Sequence, residues 1–249
     1  MMKYCCLALC LAGLFSANAP AAGKTATTSS GDWQAWFAEP TVRYGHNVLG
    51  DTPEWGQLCL RGAGSEACVT LPEHRVFEDI APRLADVDRD GRLDAVVVES
   101  DFRLGAALAV YRLEADGSLQ RIATPPIGTS YRWLAPIGIA DLDANGDIEI
   151  AYIDRPHLAR TLRVWRYVDG RLLEVASKPG YSNHRIGDAF IVGGLRICAG
   201  ESTLMITADA FWSQIVATRF DGENLVSRDL GPLDSDADFE RALQCDTGS

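Results

Sequence analysis

The sequence predicts an all-β protein, and its internal repeats favour a β-propeller of four blades. Three observations support this prediction. Short runs of β-branched or aromatic residues dominate the chain, turns containing glycine separate them, and these turns recur at an almost constant spacing. No stretch has the sustained 3.6-residue apolar period of an amphipathic helix, so the sequence argues against a helical fold.

The N-terminal segment is typical of an export signal. Lys3 gives a positive start, residues 4–15 form an apolar run, and Ala19-Pro20-Ala21 has the small side chains of a cleavage site. We predict a signal peptide at 1–21, a flexible leader of small polar residues at 22–31, and one propeller domain at 32–249. We expect the protein in the periplasm or outside the cell, without membrane insertion.

The repeat is clearest in the turns. Asp116-Gly117, Asp169-Gly170 and Asp221-Gly222 each lie between two apolar runs, as hairpin turns do, and Gly64 lies 53 residues before Gly117. Four hairpins at a period of about 53 to 55 residues account for four four-stranded blades. The clearest strand predictions are 94–99, 108–113, 148–153, 162–168, 204–207 and 214–220.

The first unit has only a weak candidate for its innermost strand. We expect either the segment Trp33–Phe37 or the tail Pro232–Cys245 to complete this blade and close the ring. A β-sandwich with a similar number of strands is the structural alternative, but a sandwich does not require a strict repeat.

Charge and cysteine content restrict the function further. The chain has 34 acidic and 23 basic residues, and its formal net charge is −11. Such a charge disfavours binding to nucleic acid and suits divalent cations or basic partners. Four cysteines follow the signal segment, and in an oxidising compartment we predict the disulfides Cys59–Cys68, across a hairpin, and Cys198–Cys245, which would anchor the tail.

Two acidic segments, 86–94 and 141–149, have the ligand spacing of a calcium loop. Oxygen donors occupy positions 1, 3, 5 and 9, glycine occupies position 6, and the carbonyl of position 7 can point inward. An EF-hand would need Glu at position 12 and flanking helices, which this sequence lacks. The predicted ligands are Asp86, Asp88, Asp90, the carbonyl of Arg92, Asp94, Asp141, Asp143, Asn145, the carbonyl of Asp147, and Glu149. Acidic turns without a metal are the alternative.

These two segments, together with the apolar runs around them, resemble the FG-GAP/VCBS-type repeats of integrin α-subunit propellers and of many bacterial exported proteins. The resemblance covers roughly residues 73–182 and implies a propeller whose calcium loop joins the first and second strands of a blade. Integrin propellers have seven blades, so ligand specificity is not carried over. The corresponding loop 193–201 lacks the aspartates, and we predict no metal there.

A second group of residues is expected at the opposite end of the blades. In a blade with strands A to D, the A–B and C–D connections form one face, here the first face, and the B–C and D–A connections form the second face. The residues predicted on the second face are His46, Arg75, Glu99, Arg132, Asp154, His157, Arg185, Asp209 and Trp212. They could bind a small molecule or peptide. Ion pairing between blades, for example Arg132 with Glu99, is the structural alternative.

Signals for catalysis are weak. The four histidines have no metal-ligand spacing, and there is no Gly-x-Ser-x-Gly motif. We therefore predict a calcium-binding propeller that recognises a protein or glycan partner, and we favour a non-enzymatic role. A carbohydrate-active hydrolase or lyase that uses the second face, with an acid pair such as Glu99 and Asp154, is one alternative. A structural module of the cell envelope is the other.

Overall fold

The computed structural model describes residues 26–245, and the predicted signal peptide therefore lies outside the described residues. Eighteen strands and one helix are present in this range. They form antiparallel meanders in three sheets of nine, four and five strands, none of which closes on itself within residues 26–245. The all-β prediction is confirmed, and every one of the six clearest strand predictions corresponds to a strand.

Unit one is a meander of four strands: β1 (Thr27–Ser30), β2 (Trp33–Thr41), β3 (Glu54–Gly62) and β4 (Ser65–Thr70). Its inner part comes from the N-terminal side, since β1 pairs with β2 across residues 27–36. Residues 27–30 were expected to belong to a flexible leader, and the structure corrects this. β-branched Thr27 and Thr28 suit a strand, and a complete edge of β2 is available for hydrogen bonding.

Unit two contains β5 (Arg75–Phe77), β6 (Arg83–Ala85), β7 (Asp94–Asp101), β8 (Gly105–Leu113) and β9 (Leu119–Ala123). β5 and β6 both pair with β7, so they act as two halves of one interrupted inner strand. β5 also pairs with β3 through Trp55 and Phe77, and this contact joins units one and two into the nine-stranded sheet.

Unit three is the regular meander β10 (Leu134–Ala140), β11 (Glu149–Asp154), β12 (Thr161–Val168) and β13 (Arg171–Pro179). Unit four again has a divided inner strand. Its strands are β14 (Tyr181–Ser182), β15 (Gly194–Arg196), β16 (Leu204–Asp209), β17 (Gln214–Phe220) and β18 (Leu225–Pro232).

The structure contradicts the expectation that the tail Pro232–Cys245 completes unit one. Residues 237–243 form the helix α1 (Ala237–Leu243), which packs against β15, β16 and β17 of unit four. Phe239 is buried there among Ile206 and Ile215. The tail therefore covers the apolar side of unit four that faces away from unit three, and it does not complete unit one, whose inner strands are already supplied by β1 and β2. This helix has seven residues, and residues 26–245 include no helix with the length and apolarity needed to span a bilayer.

The core lies between neighbouring units. Side chains of a strand alternate between its two sides, so Ala95 and Val97 of β7 pack toward unit one while Val96 and Val98 pack toward unit three. Another apolar cluster joins units three and four. This explains why β7 is a nearly continuous apolar run, since both of its sides are buried.

The turns and disulfides follow the sequence predictions. Each of the four predicted glycine turns joins the third and fourth strands of a unit, and the glycines Gly64, Gly117, Gly170 and Gly222 all have positive φ. Cys59 pairs with Cys68 at a Cα–Cα distance of 4.0 Å, and Cys198 pairs with Cys245 at 5.6 Å. The second bridge attaches the end of α1 to unit four.

Candidate functional site

The acidic segments 86–94 and 141–149, which we call loop one and loop two, have the same backbone conformation. Each leads from the inner strand of its unit to the next strand. Positions 4 and 6 of both loops have positive φ, at Arg89 and Gly91 in loop one and at Ala144 and Gly146 in loop two. Glycine at position 6 makes this tight winding easier because it has no Cβ.

The same hydrogen bonds stabilise both loops at positions 55 residues apart. Asp86 accepts bonds from the N–H groups of Asp90 and Gly91, at 3.0 and 2.9 Å. Asp141 accepts the equivalent bonds from Asn145 and Gly146, at 3.1 and 2.8 Å. The sequence repeat thus produces a structural repeat at atomic detail.

Carboxylates converge in each loop. Oxygens of Asp86, Asp88 and Asp90 all lie within 4.8 Å of one another, and so do oxygens of Asp141, Asp143 and Glu149. Oxygens bound to one Ca²⁺ at about 2.3–2.6 Å can be at most about 5 Å apart, so these spacings fit a shared calcium ion. The donor set, made only of oxygens, also suits this hard cation.

The ninth position differs between the loops. Asp94 is buried and accepts the N–H of Val87 at 3.1 Å, outside the cluster of three aspartates. Glu149 accepts the equivalent N–H of Leu142 at 2.8 Å and, with its longer side chain, also joins the cluster of loop two. Burial raises the pKa of Asp94 to about 7, the charge of Asp88 adds to this, and the Val87 N–H opposes it. Burial likewise raises the pKa of Glu149.

Each loop is also contacted by an arginine that the sequence analysis missed. Arg112 of β8 forms ion pairs with Asp88 and Asp90. Arg166 of β12 lies 54 residues later and contacts Asp143 at 2.6 Å and Glu149 at 2.5 Å. These arginines offset part of the carboxylate charge. The 54-residue spacing between Arg112 and Arg166 is close to the repeat period and is visible in the sequence. That both arginines reach the acidic loops became evident only from the pairing of their strands in the structure.

On the second face, residues of units one and three and of the connections between units meet in a small cleft. Its lining includes His46, Tyr131, Arg132, His157 and Leu158, and we call it the second-face cleft. Three residues predicted for a partner surface, His46, Arg132 and His157, are therefore brought together.

A buried carboxylate orients His46. Nδ1 of His46 lies 2.7 Å from Glu78, and the second oxygen of Glu78 accepts a hydrogen bond from the Ser100 hydroxyl. Glu54 holds the backbone of the same segment by accepting the N–H groups of Tyr44, Gly45 and His46. Burial raises the pKa of Glu78, and His46 opposes this shift. The sequence analysis did not identify Glu78, because its partner is 32 residues away.

A second pair of histidines adjoins the cleft. His157 Nε2 lies 2.9 Å from His184 Nδ1, and His184 Nε2 lies 2.9 Å from the carbonyl of Asp188. A carbonyl can only accept, so His184 donates from Nε2, and His157 then donates to His184 Nδ1. Burial, followed by the neighbouring His184, lowers the pKa of His157 to about 4. His157 is therefore neutral at physiological pH.

The other predicted second-face residues have structural partners. Glu99 is 1% exposed and binds Arg75 and Arg121, so the suggested pair Arg132–Glu99 is wrong. Glu99 binds Arg75 and not Arg132 because β5 pairs directly with β7. In this pairing Phe77 lies opposite Glu99, and Arg75 is two residues away on the same side of the sheet. The four remaining predicted residues do not line the cleft. Asp154 binds Arg155 and Arg163, Asp209 accepts N–H groups of its own turn, and Arg185 stacks on Trp212 and contacts Asp236.

Comparison with known families gives one match. Residues 86–152 match the family model of the FG-GAP-like repeat. The matched region begins at the first aspartate of loop one and ends three residues after loop two. It supports the FG-GAP resemblance for units two and three, and the FG-GAP-like repeat fits a β-propeller. No curated protein gives a significant match to the chain.

Proposed function

We propose that this chain is an exported, calcium-binding β-propeller of four blades that recognises a protein or glycan partner through its second face. The observation that carries the proposal is the pair of carboxylate clusters at equivalent positions of the FG-GAP-like region. Two disulfides and the signal-like segment 1–21 support export. The apolar clusters between successive units support a propeller arrangement.

In this proposal loop one holds calcium through Asp86, Asp88 and Asp90, with the carbonyl of Arg92 and Asp94 completing the set. Loop two does so through Asp141, Asp143, Asn145, the carbonyl of Asp147 and Glu149. The bound ion would neutralise carboxylates that otherwise repel one another, and would fix the connection between two strands. Its role is structural, and it supports the blades that carry the second face.

Calorimetry and thermal unfolding of the full chain with and without Ca²⁺ test this function. Loops of this kind in extracellular modules bind calcium at about 10⁻⁴ to 10⁻³ M, and one site at 100 times its Kd contributes roughly 2.7 kcal/mol. Asp88→Ala should remove most of the calcium-dependent rise in Tm, and Asp143→Ala a smaller part, because the predicted ligand set of loop one has four carboxylates when Asp94 is included and that of loop two has three.

Asp116→Ala is the matched control. Asp116 is an acid of the same face that lies in a glycine turn, and within residues 26–245 its carboxylate accepts hydrogen bonds from Ser118 alone, so its loss should leave the calcium effect unchanged. An unchanged Tm in chelator, together with no heat of binding at millimolar Ca²⁺, would contradict calcium binding.

A carbohydrate-active enzyme is the second candidate, and the contact of His46 with buried Glu78 favours it. A carboxylate that orients histidine is a common arrangement for a general base. Turnover of an acidic or neutral glycan panel by the full chain, abolished by His46→Gln but retained in His74→Gln, would establish this candidate. His74 is an exposed histidine outside the second-face cleft.

A further inference from the structure

The part of the second face that units two and three form is basic, in contrast to the chain as a whole. The connections 102–104, 124–133 and 155–160 contain four arginines and no acid, whereas the segments 42–53, 71–74, 183–193 and 233–236 contain two arginines and five acids. The first face, by contrast, carries loop one, loop two and the acidic glycine turns. An overall net charge of −11 therefore conceals a locally basic surface.

The same face exposes apolar side chains. The B–C connection of each unit carries one large apolar residue at its surface: Val42 is 86% exposed, Leu104 45%, Leu158 61% and Phe211 84%. Tyr131 and Ile186 from the D–A connections are 50% and 72% exposed. Apolar residues exposed singly are common on protein surfaces, but Tyr131 and Leu158 line the same cleft, and clustered apolar exposure is typical of an interaction surface.

Contacts between the connections bring part of this surface into one place. The N–H of Tyr131 donates to the Tyr44 hydroxyl at 2.6 Å, and the N–H of Gly187 donates to the Val48 carbonyl at 3.0 Å. His157 joins the group through His184. Residues of units one and three, and of the D–A connections beside them, thus surround the second-face cleft.

Arg132 provides the charge that is available to a ligand. The only hydrogen bond of its guanidinium among residues 26–245 is to the carbonyl of Tyr131, and no acidic group of that range lies within ion-pair distance. Its counterparts Arg75 and Arg185 bind Glu99 and Asp236. A guanidinium without an acid, beside an aromatic ring and an exposed leucine, suits a carboxylate with apolar neighbours.

We infer that the second-face cleft docks an acidic peptide segment of a partner protein, with a carboxylate at Arg132 and apolar side chains on Tyr131 and Leu158. This inference rests on the partner recognition proposed above and names the partner's chemistry. Aliphatic side chains around the cleft favour a peptide over an acidic glycan, because a peptide supplies apolar side chains beside its carboxylates.

Selection of a displayed library of random peptides against the immobilised full chain, with Ca²⁺ present, tests the inference. The enriched sequences should combine Asp or Glu with Leu, Ile or Phe. A synthetic peptide of the enriched sequence should lose roughly tenfold or more in affinity on Arg132→Gln, because the carboxylate loses its bidentate partner. Leu158→Ser should weaken binding as well.

Two matched variants control for general effects of charge and apolar surface. Arg171→Gln removes an exposed arginine at the start of β13, and Leu173→Ser removes a leucine that is 48% exposed on the same strand. Both should leave peptide affinity unchanged. Replacing Asp and Glu of the peptide by Asn and Gln should weaken its binding to the parent chain but not to the Arg132→Gln variant.

Enrichment of basic or uncharged peptides would overturn the inference, and so would an enriched peptide that binds equally well to the Arg132→Gln variant. If no peptide is enriched but an oligogalacturonate binds and loses affinity on Arg132→Gln, the peptide inference is wrong while partner recognition by this face survives. If neither probe binds at millimolar concentration, partner recognition itself fails, whereas calcium binding is judged separately by calorimetry.

Discussion

Units two and three hold the connection after their inner strand with carboxylates, whereas unit four holds the corresponding connection covalently. Loop one and loop two each contain a cluster of acids and an arginine from the neighbouring strand. In unit four the connection between β15 and β16, residues 197–203, contains Cys198, which is bonded to Cys245 beyond α1. The chain therefore restrains a long connection between strands in two ways, by carboxylate clusters with an arginine in units two and three and by a disulfide in unit four.

The acids near the ends of β7, β11 and β16 differ between the units in the same way. Glu99 in unit two and Asp154 in unit three are buried and bind two arginines each. Asp209 in unit four instead accepts the N–H groups of Ser213 and Gln214 in its own turn. Units two and three depend on ion pairs between strands of the same unit, and unit four depends on hydrogen bonds within a turn and on a disulfide.

The largest loss of stability is expected when the disulfide Cys198–Cys245 is removed. The double variant Cys198→Ser/Cys245→Ser opens a link between residues 47 apart in sequence, which the chain-entropy model values at about 4 kcal/mol. Urea unfolding should show this loss, and α1 should become sensitive to protease because its covalent attachment to unit four is gone.

The hairpin disulfide is the control for that variant. Cys59 and Cys68 are only 9 residues apart, so Cys59→Ser/Cys68→Ser should cost less, about 2 to 3 kcal/mol, and should leave α1 protected. A larger loss for the hairpin pair would show that the tail bridge contributes little to the stability of unit four.

A smaller but substantial effect is expected in unit two. Glu99→Gln leaves Arg75 and Arg121 facing a neutral amide in a place where Glu99 is 1% exposed, and it should destabilise the protein by about 3 kcal/mol in urea unfolding. A change of less than about 1 kcal/mol would mean that the two arginines find water or other partners, as groups on an open surface do.

The smallest effect is expected for Asp209→Asn in unit four, at about 1 kcal/mol. Burial by itself would raise the pKa of Asp209, but the N–H groups of Gln214 and Ser213 and the Ser213 hydroxyl together lower it. A lowered pKa stabilises the fold above the unfolded pKa of about 3.9, and this contribution is lost as pH falls through the folded value. The difference in Tm between parent and variant should therefore be constant near neutral pH and shrink below about pH 4. A difference that grows in acid would contradict this account.

Local sequence determined the strands, the glycine turns and the conformation of loop one and loop two. These features depend on residues close together in the chain: alternating apolar side chains, glycines with positive φ, and aspartates that accept N–H groups two to five residues later. The repeat period then placed the loops at equivalent positions, and the predicted disulfides Cys59–Cys68 and Cys198–Cys245 are present.

Only the tertiary structure decided which distant groups meet. Glu99 binds Arg75 and Arg121, Arg112 and Arg166 reach the acidic loops, His46 contacts Glu78, and α1 covers unit four. Several arginines and acids recur at similar spacings, so sequence alone could not choose between Arg75 and Arg132 as the partner of Glu99. The register between β5 and β7 makes that choice, because it places Phe77 directly opposite Glu99 and Arg75 two residues away on the same side of the sheet.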